Sequence, residues 1–241
     1  MIARARFLGP SLMSLAMIAV TLSLGIWQIE RKVMKESLIA ALDERITAAP
    51  QPLPPPSEWT TLTPERDEFR RVRFVARFDG QDSFVYAGAG SPLRTDVSGP
   101  GTWAFAPARL PGGQTVVVDR GFVAEGQQAR IAMPQGEAEL VGVIRFPESK
   151  GWLTPAEDRT KRLWFLRDHA AIAQANGWGA VAPFYIDLES PVPQGGVPKA
   201  GAVQPKLRNE HLQYALTWFG LALVVAGGFG VWLRQQWRAG G

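Results

Sequence analysis

The sequence predicts a membrane protein of the α+β class: two transmembrane helices, one near each end, flanking a mostly antiparallel β extramembrane domain with a few short helices. Three observations predict it. Two long runs carry no charge, Phe7–Ile29 and Leu212–Leu233. Between them lie short alternating apolar and polar stretches separated by Gly- and Pro-rich turns, the pattern of strands. Continuous helical periodicity is confined to two pieces of that interval.

Residues 1–6 are a short basic tail. Residues 7–29 form the first span, "FLGPSLMSLAMIAVTLSLGIWQI", about 34 Å long at 1.5 Å per residue and so able to cross a bilayer. Trp27 stands at its outer interface. The run continues into charged helical sequence without a small-residue cleavage site, so it reads as an uncleaved anchor. Pro10 lies near the start, where a proline is tolerated. Residues 30–48 prolong the helix, with Val33, Leu38, Ile39, Leu42 and Ile46 at helical spacing. "PQPLPPPSEW" then reads as an extended linker.

Strands are expected over 70–78, 83–88, 102–110, 115–123, 138–146 and 183–189. In the first, Val72, Phe74, Ala76 and Phe78 share the inward face. "FDGQD", "SGPG" and "LPGGQ" supply the turns. Residues 167–177 are a short helix with Asp168 as N-cap and Gly177 as stop. "SPVPQGGVPKAGAVQP" is an irregular tether back to the membrane, closing an outer domain of residues 30–210. The second span is 211–233, with Trp218 and Trp232 near its ends, and 234–241 is the second tail. Ser14, Thr21, Gly25, Gly220 and Gly227 place small residues on the spans, where helices approach closely.

The chain has 26 Lys and Arg against 22 Asp and Glu. Arg4, Arg6, Arg234 and Arg238 sit in tails without acids and account for the whole excess, so the interior is neutral and no basic groove for nucleic acid is expected. Long loops cross membranes largely regardless of charge. The tails are therefore placed in the cytoplasm, or its organellar equivalent, and the large domain outside. Cysteine is absent, which excludes disulfides, thiolate metal sites and paired-cysteine copper carriage. Four of five methionines lie before residue 35, unlike a methionine-rich copper site.

Little in the sequence looks catalytic. The two histidines are His169 and His211. His169 follows Asp168 directly, and neighbours on a helix do not share a face; it reads as a satisfied or surface histidine. In "VVVDRGFV", Asp119 and Arg120 end an apolar strand and read either as a structural ion pair or as a contact for a carboxylate ligand or partner. His211 stands at the lip of the second span. Positions 211, 214, 215, 218 and 222 share a helical face: His, Tyr, Ala, Trp, Ala. Imidazole can ligate heme iron axially, the alanines leave room, and Tyr214 and Trp218 make walls for a flat apolar macrocycle, with Trp27 and Gln28 at the matching end of the first span. The same residues also read as plain interfacial anchors.

"LGIWQIERK", "TVVVDRGFV", "LWFLRD" and "NEHLQYALTWFGLA", in that order, resemble the Surfeit-locus cytochrome c oxidase assembly proteins over nearly the whole chain. The family's central Asn-Arg-Gly-Trp run is matched at Arg120 and Gly121, while Asp119 and Phe122 replace its first and last members. The resemblance implies a non-enzymatic role in oxidase biogenesis: binding heme a and helping to place it in subunit I. It puts the iron ligand on His211. Tyr214, Trp218, Trp27 and Gln28 would border the macrocycle, and Arg208 would pair with a propionate. The implied partners are oxidase subunit I, the heme a synthase or both, and membrane lipid. A scaffold that stabilises subunit I without touching heme is the alternative. Without an Arg- and Ser-rich transit segment before the first span, the expected home is a bacterial inner membrane, multi-pass, with the domain in the periplasm.

Overall fold

The first helix, α1, runs unbroken from Ile2 to Thr47. The computed structural model of the chain describes residues 2–88, 91, 93–128, 131–152, 154–204 and 209–239, with backbone alone for 2–7 and 239. Two compact units result: Met1–Ala41 with Leu207–Gly241, and Leu42–Lys206. The charged extension after residue 29 continues α1, and the second unit begins at Leu42. Pro10 lies two turns inside α1 and not at its start; an isolated proline is tolerated in a spanning helix.

In the first unit, α1 and the last helix, α4 (His211–Ala239), are both long and apolar enough to cross a membrane. They pack through small residues. Thr21 and Gly25 of α1 and Ala215 and Ala222 of α4 are buried. Gly25 is required by shape, since a Cβ there would fall on the ring of Phe219. The expected Gly220 and Gly227 are exposed; alanine takes the contact positions instead, one residue type larger but still short enough for close packing.

The second unit holds β1 (Gln51–Pro52), a 3-10 turn (Pro56–Thr61), α2 (Pro64–Asp67), β2 (Arg71–Phe78), β3 (Ser83–Ala87), β4 (Gly101–Arg109), β5 (Thr115–Ala124), β6 (Glu137–Arg145), β7 (Leu163–Trp164), α3 (His169–Asn176) and β8 (Val181–Ser190). Strand order is β1-β2-β6-β8-β5-β4-β3-β7, and a further β2–β4 pairing closes β2, β6, β8, β5 and β4 into a barrel. Pairings are mostly antiparallel; β5–β8 is parallel, as are the two-residue edges β1–β2 and β3–β7. Each expected strand is present within two residues of its predicted bounds. Asp168 caps α3 by accepting from the Ala171 N–H at 3.0 Å, and Gly177 ends it in the left-handed conformation, φ 68°.

Alternation sorts the strands into two cores. Val72, Phe74, Ala76, Phe78, Val116, Val118, Leu140, Ile144, Phe184 and Ile186 fill the barrel. The opposite face of β3, β4, β5 and β8 carries Val85, Trp103, Phe105, Val117 and Tyr185, covered by Ile172 and Ala173 of α3 and by Trp164. The proline-rich linker is not free. Trp59 is buried in the barrel core against Phe184, and its indole N–H donates to the Pro54 carbonyl at 2.8 Å. Nor is the return tether loose. Lys199 exchanges both backbone hydrogen bonds with Phe122, and buried Arg94 donates to the Gly201 carbonyl at 3.0 Å.

Candidate functional site

Among the described residues, two groupings of polar side chains bear on function: the start of α4 with the stretch of α1 around Gln28, and the covered outer face of the barrel.

At the first, His211 opens α4. Its backbone N–H faces Asn209 Oδ1 at 3.4 Å, a long capping contact, and Asn209 Nδ2 reaches the Lys32 carbonyl of α1 at 3.5 Å. One turn back along α1, Gln28 Oε1 lies 2.7 Å from His211 Nδ1. An Oε1 acceptor at this place fits the tautomer with its proton on Nδ1. Nε2 has no hydrogen-bond partner among the described residues. The imidazole is half-buried, and Trp27 and Tyr214 are about half exposed beside it.

The structure changes the shape of the expected cradle. Ala215 and Ala222 do not leave room for a macrocycle, because they are buried in the small-residue contact with α1. Tyr214 is exposed and Trp218 half-buried. Trp27 is partly covered by the Arg31 guanidinium, 5.6 Å from its ring centroid. Arg208 lies outside the described residues. The seam between the two helices is closed at these positions, and the exposed aromatic surface lies on the flank of the pair. The side chain there of a type that can ligate heme iron is the His211 imidazole.

The second place is built by β5, β6 and β8. Asp119 and Asp187 are register partners on the parallel β5–β8 pair, and both are buried. Arg145 of β6 reaches Asp187 at 3.6 Å and Glu68 at 2.6 Å. Arg167, from the segment leading into α3, lies 3.7 Å from Asp119 and 4.0 Å from Asp187, and its guanidinium covers Trp103 at 4.5 Å. Tyr185 completes the group, with the Arg145 guanidinium 5.9 Å from its ring centroid. Burial, then the neighbouring Asp187, pushes the Asp119 carboxyl up to about 7, against the pull of Arg167. Burial likewise pushes the Tyr185 hydroxyl up to about 12.

Asp119 and Arg120 are not a pair, because consecutive strand residues face opposite ways. Asp119 points to this cluster and accepts from the Gly121 N–H at 3.0 Å. Arg120 points to the other face, where it is 2% exposed and gives both Asp82 oxygens bonds of 2.8 and 2.6 Å. Both side chains are buried within this chain. Gly121, between Arg120 and Phe122, has φ +124°, and a Cβ there would fall on the Lys199–Ala200 peptide. The "DRGF" run thus builds two buried ion clusters and seats the return tether.

His169 is structural: it is 1% exposed, its Nε2 lies 2.9 Å from the Ala182 carbonyl, and burial lowers its pKa. Among the described residues no three His, Asp or Glu side chains form a metal cage. Sequence reasoning missed Asp187, Arg145, Asp82 and Tyr185. The available signal was an acid inside the apolar strand "PFYIDLE" and an arginine ending "AELVGVIR", each on a face that otherwise buries apolar residues.

The SURF1 family pattern matches residues 15–223. The Surfeit locus protein 1 of Rattus norvegicus is 31% identical over 235 residues, covering 90% of this chain and 72% of the relative. That of Takifugu rubripes is 33% identical over 220 residues, 84% and 88%, and that of Homo sapiens 32% over 217, 83% and 69%. Matched from the first spanning helix to the second, with the β-rich unit between, this chain belongs to the SURF1 family.

Proposed function

We propose that this protein is a membrane-bound assembly factor for heme-copper cytochrome c oxidase that holds heme a on the outer flank of its helix pair and helps to pass it to subunit I. The observation that carries the heme part is His211: a helix-lip imidazole whose Nδ1 is engaged by Gln28 and whose Nε2 has no hydrogen-bond partner among the described residues. Oxidase assembly is the role for which the family is known.

In this reading His211 ligates the iron through Nε2. Trp27, Tyr214 and Trp218 offer apolar surface beside it, and Arg208 supplies a cation for a propionate. A single histidine is a modest ligand, which suits a site that must also release its cargo. Heme a would be cargo, so the proposal assigns no catalytic step. The domain of residues 42–206 would dock subunit I or the heme a synthase, with membrane lipid around the helices. Basic residues Arg234 and Arg238 in the C-terminal tail and the long segment between spans favour cytoplasmic tails and a periplasmic domain in a bacterial inner membrane.

The test is an optical spectrum of the full chain purified in detergent after co-expression with heme a synthesis, beside His211→Ala. A heme a band lost in a folded His211→Ala variant supports the reading. A chain without heme that is still required for oxidase assembly would make it a scaffold for subunit I.

A further inference from the structure

The contact between His211 and Gln28 has a consequence for the ligand atom. It rests on the heme-holding reading above. A free imidazole exchanges between two tautomers and turns about its side-chain bonds, so only part of its population offers a lone pair in one direction. Here both freedoms are restricted from α1. Asn209 joins the first turn of α4 to the Lys32 carbonyl, and Gln28, four residues earlier on the same face of α1, takes Nδ1 at 2.7 Å.

We infer that Gln28 is a positioning residue: it holds His211 as the Nδ1–H tautomer and aims Nε2 at an iron porphyrin bound outside the helix pair. The identity of the acceptor matters as much as its place. Metal-bound histidines commonly donate their second N–H to a carboxylate or a carbonyl, which fixes the ring and raises its basicity. A carboxylate does this strongly, because the bond is charge-assisted. The neutral amide of Gln28 fixes direction while adding less donor strength. That combination suits reversible holding: the ring is ready to bind, and the iron–nitrogen bond stays weak enough to leave.

The experiment compares wild type, Gln28→Leu, Gln28→Glu and His211→Ala, each as the full chain in detergent. Hemin is titrated in, and the reduction midpoint and the iron–histidine vibration of the bound form are recorded. Gln28→Leu keeps the volume and removes the acceptor; it should weaken hemin binding roughly 10- to 100-fold. Gln28→Glu restores an acceptor with charge. It should recover affinity to wild type or beyond, lower the midpoint and raise the vibration frequency. Thermal unfolding of each variant shows that the helix pair survives.

If His211→Ala binds hemin with an unchanged spectrum, the ligand reading itself fails. If His211→Ala loses binding but Gln28→Leu matches wild type in affinity, midpoint and vibration, the ligand reading stands and the positioning role is overturned. If Gln28→Glu behaves as Gln28→Leu, Gln28 only packs, and the inference is overturned in that way too.

Discussion

Asp119 and Asp187 face each other across the parallel β5–β8 pair, two carboxylates buried side by side and separated from water by the segment that carries Arg167. Their Coulomb repulsion is relieved either by the two guanidiniums or by a proton. The distances of 3.6 to 4.0 Å from Arg145 and Arg167 are too long for direct hydrogen bonds, so the cations do not compensate fully.

A pH dependence follows. Asp119 titrates near 4 when unfolded and at about 7 in the fold. Between those values the folded chain holds a proton that the unfolded chain has released. Its contribution to stability is complete below about pH 4 and is lost as pH rises to about 7. Asp82, also raised by burial, acts in the same sense; His169, lowered by burial, acts in the opposite sense near its unfolded value of about 6.5, and Asp96, held down to about 2 by Arg94, opposes only at lower pH. The unfolding temperature of the wild type should therefore fall between pH 5 and 7.5, by an amount worth up to a few kcal/mol. Asp119→Asn should flatten that slope. Thermal unfolding followed by near-ultraviolet circular dichroism checks it, and parallel profiles for the wild type and Asp119→Asn would count against a protonated Asp119.

Arg120→Ala should cost about 3–5 kcal/mol, because it strands the buried Asp82 carboxylate, whose pKa burial already raises. Asp82→Asn should cost less than Arg120→Ala, since it keeps an oxygen to accept from Arg120. The double change Arg120→Leu with Asp82→Leu should recover part of the loss. Urea unfolding of the three variants measures the coupling.

Gly121→Ala should destabilise by about 2–4 kcal/mol, through a strained φ of +124° and a clash with the Lys199–Ala200 peptide. The tether 191–204 should then detach first. Limited proteolysis would show new cleavage around Lys199 in the variant, while the wild type stays protected there.

Gly25→Leu should loosen the helix pair by about 1–3 kcal/mol, because its side chain occupies the space of the Phe219 ring. Phe219→Ala combined with Gly25→Leu should restore much of the stability. The midpoint of thermal unfolding in detergent is the measurement; equal midpoints for the single and double variants would mean that the two positions do not meet.

The spans, the strands and the cap and stop of α3 were legible because each is set by local pattern. Twenty uncharged residues need no partner to declare a helix, and Val72, Phe74, Ala76 and Phe78 name their own inward face. Gln28 and His211 were legible as neighbours because both stand at outer ends of spans. The partners of Asp119 and Arg120 were not. The strand period sends adjacent residues to opposite faces, but which residue waits there depends on β5 lying beside β8 in parallel and on the Arg167 segment folding over both. The same holds for Ala215 and Ala222, which read as open space from one helix alone and prove to be filled by the other. Local periodicity thus determined the elements and the histidine at the lip. The pairing of buried charges, the place of the return tether and the closed seam between the helices were decided by tertiary structure, because each depends on which surface a residue meets and no short window of sequence contains both sides.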